Sequence, residues 1–228
     1  MDVSVIIVNY KTKELTKDCV NSIFEKTEGI EYEVVIVDNA SGDGSYEFLS
    51  EEFKGKNNVK VIKSDKNLGF GMGNNLGFEN ATGKYLFCLN SDTLLLNNAI
   101  KIMFDFMEKP ENQNVGVCGG QIYDEKMQLS HAFQKLPSLL DLILTKTLFY
   151  KLFRRQAHHI FDWEVEKDKT KQWEVGYITG AESFIRKSVI DKVGGYSKEF
   201  FMYYEDPELQ YRIKKAGYRR VFIPQPEI

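Results

Sequence analysis

Cysteine and histidine are both scarce in this sequence, with three of each among 228 residues. The cysteines Cys19, Cys88 and Cys118 are odd in number and have no Cys-x-x-Cys spacing, so the sequence predicts neither a disulfide framework nor a zinc motif. Cys88 and Cys118 lie in apolar runs, as small buried residues do, and a reducing compartment is expected. The histidines, one at position 131 and an adjacent pair at 158–159, do not assemble into a metal site and are read as surface residues.

The sequence also lacks a charge excess and a long apolar run. Thirty basic residues stand against 33 acidic ones, without the positive surplus that nucleic-acid binding requires. The first apolar run, Val5 to Val8, is too short for a secretory signal, and no run approaches the ~20 residues that span a bilayer. We therefore expect a cytoplasmic protein with no nucleic-acid partner, attached at most to the inner membrane surface.

What the sequence does contain is a regular alternation of predicted strands and helices. With 43% hydrophobic and 28% charged residues, the chain can bury one core, and a single domain is expected. The strands are continuously apolar, which predicts burial on both faces and a mostly parallel sheet flanked by helices, an α/β fold. The predicted strands are 3–8, 33–37, 59–62, 84–89 and 115–123, and the predicted helices are 14–26, 46–53, one opened by 67–77, and 97–107.

Beyond Tyr123 the alternation weakens. Leu136 to Arg155 carries apolar residues along one broad face and a basic end, which predicts an amphipathic helix. A helix packed on the core is favoured over one lying on a membrane surface, because apolar faces at this spacing are ordinary in cores.

Polar side chains end several predicted strands. Asn9, Asp38, Asn67 and Asp92 all fall at the carboxyl edge of the sheet, where open α/β sheets bind ligands. Asp92 is placed to bind a divalent cation that holds phosphates, although a turn or helix cap is the favoured explanation when this residue is taken alone. Asp38 could accept hydrogen bonds from a nucleobase or ribose, or could serve turn chemistry alone.

The glycine-rich segment 67–77 invites a dinucleotide-binding interpretation and fails it. Counted from Gly69, the last required glycine is Asn74, and the segment follows the third strand rather than the first. What remains is a loop with little side-chain bulk, where the backbone and a helix N-terminus can approach anionic groups.

An acid pair, Glu205-Asp206, follows an aromatic stretch and precedes a predicted helix through Leu209 and Ala216. Asp206 resembles an N-cap with Pro207 at the first helical position. A carboxylate at a helix N-terminus, shielded by aromatic walls, would also suit a general base that deprotonates a sugar hydroxyl.

Together these segments resemble family 2 glycosyltransferases with the GT-A (nucleotide-diphospho-sugar transferase) fold, and most of all the rhamnosyltransferase-type branch. Seven motifs occur in the family's order over nearly the whole chain: 3–10 (VSVIIVNY), 37–45 (VDNASGDGS), 67–70 (NLGF), 89–93 (LNSDT), 194–196 (GGY), 200–206 (FFMYYED) and 215–218 (KAGY).

The resemblance implies a donor site for a UDP- or dTDP-sugar, with rhamnose as one candidate donor sugar. It also implies that the acceptor is a glycan or a lipid-linked glycan. Asp206 corresponds to the catalytic base, and Glu205 to a residue of the acceptor site. Asp92 corresponds to the ligand of Mg²⁺ or Mn²⁺ that bridges the diphosphate. The donor-binding residues are expected to be Asn9, Asp38, Asn67, Gly69, Asn90, Gly180 and Ala181, and transfer is expected to invert the anomeric carbon.

Two departures from the family pattern shape the remaining alternatives. Asn90 replaces the first acid of the Asp-x-Asp motif, and the chain ends at Ile228, about where the family supplies a metal-binding histidine, so a C-terminally truncated chain is expected. Residues 1–95 are expected to bind the nucleotide and 96–228 the acceptor. A non-catalytic nucleotide-sugar-binding or scaffolding module is the main rival. A nucleotidyltransferase is disfavoured because no basic glycine-rich loop follows the first strand.

Overall fold

The computed structural model describes residues 1–136, 168 and 170–228. Its helices are α1 (Lys13–Lys26), α2 (Ser45–Glu52), α3 (Gly69–Glu79), α4 (Ala99–Glu108), α5 (Lys187–Val193) and α6 (Glu205–Lys215), with a short 3-10 helix at Pro110–Asn112. Its strands are β1 (Val3–Asn9), β2 (Tyr32–Asp38), β3 (Val59–Lys63), β4 (Tyr85–Asn90), β5 (Val115–Gln121), β6 (Phe133–Gln134), β7 (Trp173–Glu174), β8 (Tyr177–Ile178), β9 (Glu182–Arg186) and β10 (Arg219–Glu227).

The main sheet has eight strands in the order β3-β2-β1-β4-β9-β5-β10-β7. The pairs β2–β3, β1–β2, β1–β4 and β5–β10 are parallel, whereas β9 runs antiparallel to both β4 and β5. The chain moves outward from β1 to β3 and returns to β4 on the other side of β1. This reversal of strand order is the point where open α/β sheets bind ligands, beyond the carboxyl ends of the strands.

Strands β1, β2 and β4 form the centre of the core because their apolar residues are buried on both faces. One cluster, with Ile7, Leu89 and Met103, joins the sheet to α1 and α4, and a second, with Ile6, Cys88 and Ile213, joins it to α6. The predicted elements up to residue 121 are confirmed, with ends moved by one or two residues. The three cysteines are buried and form no disulfide bond, and burial of Cys88 and Cys118 is as their apolar runs indicated.

Helix α3 lies unusually close to the sheet because glycines face it. A Cβ at Gly73 would overlap Val8 and one at Gly77 would overlap Ile6, both on β1. The glycine-rich segment therefore brings the first turn of α3 next to the carboxyl end of β1, where the polar residues Asn9 and Asp38 gather.

Strand β9 is wholly buried although it carries Glu182, Ser183 and Arg186. The Arg186 guanidinium donates to the Tyr85 hydroxyl (2.9 Å) and to backbone carbonyls that include Met107 O (3.1 Å). These hydrogen bonds stabilise its buried charge. Because β9 is antiparallel, its first residues lie at the edge where β4 and β5 end.

The predicted amphipathic helix from Leu136 to Arg155 lies outside the described residues apart from Leu136, as does the histidine pair at 158–159. His131 is exposed, as expected. None of the helices within the described ranges has the length and apolar character needed to cross a bilayer.

Candidate active site

The loops that follow β1 and β2 are joined by a buried hydrogen-bond network. Asn9 Nδ2 donates to Asp38 Oδ1 (2.8 Å) and to Ser41 Oγ (3.0 Å), while Asn9 Oδ1 accepts from the hydroxyls of Thr12 (3.2 Å) and Thr16 (2.9 Å). Asn9 is 0% exposed and Asp38 1%. Asn9 therefore fixes the position of the Asp38 carboxylate from inside the protein.

A pocket of about 410 Å³ opens beside Asp38 at the carboxyl ends of β2 and β3. Tyr46 lies in its wall, and the Lys63 ammonium sits 4.9 Å from the centre of that ring and 2.8 Å from the Glu47 carboxylate. The pocket thus offers an aromatic face with charged groups at its rim, a surface suited to a planar polar ring. Its other lining residues are Ala40, Gly42, Gly44, Ser45, Ser64 and Asp65.

The loop before α3 is fixed to the loop after β2. Asn39 Nδ2 donates to Asn67 Oδ1 (3.1 Å) and to the Gly69 carbonyl (3.2 Å), and Asn39 Oδ1 accepts from the Leu68 amide (2.9 Å). Gly69 has φ +77°, and a Cβ there would overlap the Phe201 carbonyl. Glycine is required on both counts, and Asn67 and Gly69 are held beside Asn39 in the loop after β2.

The segment Asn90-Ser91-Asp92 follows β4 on the other side of β1. Ser91 Oγ lies 3.0 Å from Thr12 Oγ1, and the backbone N–H of Asn90 donates to the backbone carbonyl of Ala181 (3.0 Å). These contacts fix the backbone and leave the Asn90 side chain and the Asp92 carboxylate without hydrogen-bond or ionic partners in the described part of the chain. Asp92 is exposed.

A divalent cation could bind at this segment only if a bound nucleotide supplied some of the coordinating oxygen atoms. No group of three or more His, Cys, Asp or Glu side chains within the described ranges could hold a metal. An exposed, unpaired carboxylate at Asp92 and a neutral amide oxygen at Asn90 still match the oxygen ligands that Mg²⁺ and Mn²⁺ accept. The remaining positions would belong to the diphosphate of a bound nucleotide and to water.

Asp206 is a buried acid with a strongly raised pKa at this edge. Burial, followed by the nearby Glu205 charge, raises its pKa to about 7, against hydrogen bonds from the Tyr196 hydroxyl (3.3 Å) and the Gly180 amide. A Cβ on Gly180 would overlap the Asp206 carboxylate, so only glycine fits between them. The predicted N-cap role is wrong: α6 begins at Glu205 with Tyr204 at the cap, and Asp206 makes no capping bond.

Tyr196 orients this carboxylate, a role that the Gly-Gly-Tyr motif did not reveal. Asn75 pairs with the Tyr196 backbone through two hydrogen bonds of 2.8 Å, and the ring stacks on Phe78 (5.9 Å between centroids). Arg212 holds the preceding turn by donating to the carbonyls of Val193 (2.6 Å) and Gly195 (2.7 Å). The Tyr196 hydroxyl is therefore fixed toward Asp206.

Glu205 lies directly before Asp206 and is 4% exposed. Burial raises its pKa, and its Oε2 atom has no hydrogen-bond partner among the described residues. Buried carboxylate oxygens ordinarily have partners, so Glu205 keeps unmet hydrogen-bonding capacity next to Asp206.

The loop before Glu205 exposes four large side chains in a row: Phe201 (57%), Met202 (55%), Tyr203 (75%) and Tyr204 (57%). Tyr203 (φ 67°) and Tyr204 (φ 66°) are both left-handed, which costs an L-residue roughly 1–2 kcal/mol. Such conformations gather at functional sites. Lys11 and Ala40, also left-handed, lie in the loops after β1 and β2 at this edge.

Two series of contacts bring the three predicted acids together. Asp38 connects to Asp92 through Asn9, Thr12 and Ser91, each hydrogen-bonded to the next. On the other side, the backbone N–H of Asn90 donates a hydrogen bond to the Ala181 carbonyl. The backbone N–H of the adjacent Gly180 donates one to the Asp206 carboxylate. These contacts connect the predicted acids at positions 38, 92 and 206 along one edge of the sheet.

An exposed acid at Asp92, a pocket beside Asp38 and Tyr46, and a buried acid of raised pKa lie at one edge of the sheet. Comparison with known proteins identifies the family of the chain. The family model described as "Glycosyl transferase family 2" matches residues 4–194. The chain belongs to glycosyl transferase family 2. The resemblance predicted from the seven motifs is therefore confirmed.

The relatives include a rhamnosyltransferase, and the structural neighbours share the GT-A fold. The chain is 24% identical over 207 residues to N-acetylglucosaminyl-diphospho-decaprenol L-rhamnosyltransferase of Mycobacterium tuberculosis, covering 86% of this chain and 65% of that protein. The mannosyltransferase PcManGT from Pyrobaculum calidifontis, solved with GDP-Man and Mn²⁺, has a TM-score of 0.69 at 16% identity over 99% of this chain and 56% of its own. The structure of S. aureus TarS 1-349 in complex with UDP-GlcNAc has a TM-score of 0.66 at 18% sequence identity, and the match covers 100% of this chain and 58% of that one.

The chain thus spans less than two thirds of the length of these relatives. The GT-A fold of the family, with a mostly parallel central sheet flanked by helices, is as predicted from the sequence.

Proposed function

We propose that this chain is the catalytic part of an inverting glycosyltransferase that moves a sugar from a UDP- or dTDP-sugar to an acceptor hydroxyl. The acceptor would be a glycan or a lipid-linked glycan, in polysaccharide biosynthesis. The observation that carries the proposal is the Asp206 carboxylate, whose pKa is raised to about 7 and which is held by Tyr196 and Gly180 at the ligand-binding edge of the sheet.

Asp206 is suited to act as the general base. A base is most effective when its pKa lies near the working pH, and burial together with Glu205 places it there. The acceptor hydroxyl gives its proton to Asp206 while its oxygen attacks the anomeric carbon. The bond from that carbon to the diphosphate breaks, and the nucleoside diphosphate leaves. One displacement inverts the anomeric centre and requires no covalent sugar-enzyme intermediate.

Residues 1–95 would bind the donor and residues 96–228 the acceptor. The nucleobase would occupy the pocket beside Asp38 and Tyr46, with the diphosphate reaching across β1 toward Asp92. Asn67, Gly69, Asn90, Gly180 and Ala181 would border the donor. Glu205, with an unpartnered oxygen beside the base, would accept a hydrogen bond from the acceptor sugar.

Asp92, with the Asn90 amide oxygen beside it, would hold Mg²⁺ or Mn²⁺. A bound cation of this kind offsets negative charge on the leaving diphosphate. The rhamnosyl branch of the resemblance makes dTDP-rhamnose the first donor to test, since the M. tuberculosis relative is named as an L-rhamnosyltransferase.

The decisive test is Asp206→Asn, which keeps the shape of the side chain and removes the base. We expect release of nucleoside diphosphate from UDP- and dTDP-sugars with Mn²⁺ to fall by about 100-fold or more, while donor-induced thermal stabilisation is retained. Glu199→Gln, a change at an exposed carboxylate earlier in the same loop, is the matched control and should retain activity.

Near-normal turnover in Asp206→Asn would refute the assignment of the base. Donor binding by the unaltered protein with no turnover under any condition would instead favour the rival function, a nucleotide-sugar-binding module. Where turnover occurs, the configuration of the product's anomeric carbon, read from its NMR coupling constant, tests inversion.

A further inference from the structure

The loop before Asp206 presents an apolar surface that the proposed chemistry leaves unused. This surface, the aromatic platform, consists of Phe201, Met202, Tyr203 and Tyr204, each more than half exposed. Within the described part of the chain, none of its three rings stacks on another aromatic ring. Contiguous exposed apolar residues mark binding surfaces in proteins.

The platform is held in place rather than loosely exposed. The Phe201 carbonyl accepts a hydrogen bond from the Phe70 amide (3.2 Å) and lies against Gly69, at the start of α3. At the other end, the Tyr204 carbonyl accepts from the Glu208 amide (3.1 Å) in α6. The aromatic platform therefore spans from the donor-side loop to the helix that carries the base.

The two tyrosines are exposed at a conformational cost. Consecutive left-handed residues without glycine persist only where the surroundings impose them, and Tyr203 and Tyr204 are such a pair. A turn that served only to reverse the chain would favour glycine or asparagine at these positions. The conformation instead holds two rings outward immediately before the Glu205-Asp206 pair.

Charge discriminates between the occupants that an apolar surface could take. Anionic lipid surfaces recruit clusters of lysine and arginine. From Gly194 to Glu208, Lys198 is the only basic residue, against the acids Glu199, Glu205, Asp206 and Glu208. An uncharged ligand with both C–H faces and hydroxyls fits this environment better than a phospholipid surface does.

We propose that the aromatic platform is the stacking surface for the acceptor's carbohydrate ring, with the tyrosine rings against the C–H face of the sugar and the hydroxyl edge turned toward Asp206. This inference rests on the proposed function and adds the class of acceptor group that the enzyme reads: a neutral pyranose ring rather than a lipid or a phosphate.

The test uses methyl glycosides of glucose, galactose, mannose, rhamnose, N-acetylglucosamine and N-acetylgalactosamine as probes, in saturation-transfer NMR with UDP, dTDP and Mn²⁺ present. At least one probe should receive saturation on its ring C–H protons. Tyr203→Ala and Tyr204→Ala should each weaken that probe's binding about 3- to 10-fold, and Tyr203→Phe should retain it. Tyr211→Ala, which removes a 47%-exposed tyrosine of α6 outside the loop, is the matched control and should bind as the unaltered protein does.

Thermal stabilisation by UDP or dTDP with Mn²⁺ should be equal in all forms, so loss of sugar binding is separated from misfolding and from failure of the donor site. No saturation of any probe, or equal saturation in the alanine variants, would overturn the proposal. Sedimentation with phosphatidylglycerol or phosphatidylcholine vesicles that depends on Tyr203 and Tyr204 would also overturn it, in favour of a lipid surface. Sugar binding without nucleotide turnover would contradict the proposed function and leave the platform standing.

Discussion

At the scale of single residues, the key quantity is the ionisation of Asp206. Its pKa is raised to about 7, first by burial and second by the neighbouring charge of Glu205. A base must be ionised to accept a proton, so turnover should rise with pH through about 7 and level off above it. On the proposed function, Asp206 would thus confer pH dependence in the physiological range.

Removing the neighbouring charge should move this profile. Glu205→Gln deletes the second cause of the raised pKa, so the rising limb of turnover against pH should shift to lower pH, by up to about one unit. Donor hydrolysis measured from pH 5 to 9 gives the profile without an acceptor. Glu199→Gln should leave the midpoint unchanged, and an unshifted midpoint in Glu205→Gln would mean that the two carboxylates do not interact as described.

At the scale of elements, strand β9 combines complete burial with a carboxylic acid. Glu182 Oε1 accepts from the Gly120 amide (2.6 Å) on β5, while Oε2 has no partner in the described part of the chain, and burial raises the pKa to about 8. The Glu182 charge in turn helps to raise the pKa of Cys118 on β5. Between about pH 4.5 and pH 8 the folded protein keeps a proton that the unfolded chain releases, so stability falls as pH rises through that window.

Glu182→Gln should abolish this dependence because an amide keeps the acceptor for Gly120 and does not titrate. The variant should gain free energy of unfolding relative to the unaltered protein as pH rises from 6 to 8, by roughly 1 kcal/mol per pH unit. Urea denaturation at both pH values measures it. Glu31→Gln, at an exposed acid, should show no such change, and parallel pH dependence in both variants would exclude Glu182 as the source.

Sequence patterns predicted the elements of the first half well and those of the second half poorly, for a physical reason. β1, β2 and β4 are continuous runs of apolar residues because helices cover both faces. β9 is equally buried but contains Glu182 and Arg186, whose polar groups are satisfied by partners that are distant in the sequence, so no local pattern marks it as a strand. β10 contains Pro224 and Pro226, which sequence rules assign to turns.

At the scale of the whole molecule, the segment Asn90-Ser91-Asp92 is held by contacts from the loop after β1 and from the residues just before β9. Thr12 joins Ser91, and Ala181 joins Asn90, so the segment that contains Asp92 is supported from both sides. Asp92 itself bears none of this support, since its exposed carboxylate bonds no described residue. Its removal should therefore change ligand binding and leave the fold intact.

Thermal-shift measurements should separate these effects. In the unaltered protein, UDP or dTDP should raise the melting temperature more with Mn²⁺ than without it, because a ligand of the native state stabilises that state. Asp92→Ala should keep the ligand-free melting temperature and lose the Mn²⁺-dependent part, equivalent to about tenfold weaker nucleotide binding. Asp18→Ala, at an exposed unpaired acid of α1, should behave normally. An unchanged response to Mn²⁺ in Asp92→Ala would remove Asp92 from the metal site.

The positions of the candidate site residues were predictable because parallel strands end at one edge, which brings Asp38 and Asp92 together. The partners of these residues were not predictable. Sequence alone could not show that Asn9 is fully enclosed, that Tyr196 bonds Asp206, or that Glu205 has a free oxygen, since each depends on packing between elements far apart in the chain.

The close approach of α3 to β1 has a consequence for how this sequence can vary. Gly73 and Gly77 leave no room for even a methyl group against Val8 and Ile6. In a library that randomises all four positions, larger side chains on the helix should survive only when the opposing strand residue shrinks. The overlap at Gly77 is with Ile6 Cγ2, so paired replacements such as Gly77→Ala with Ile6→Ala should outnumber Gly77→Ala alone among functional clones, a compensatory signature that would reveal this helix-to-strand spacing without any structure.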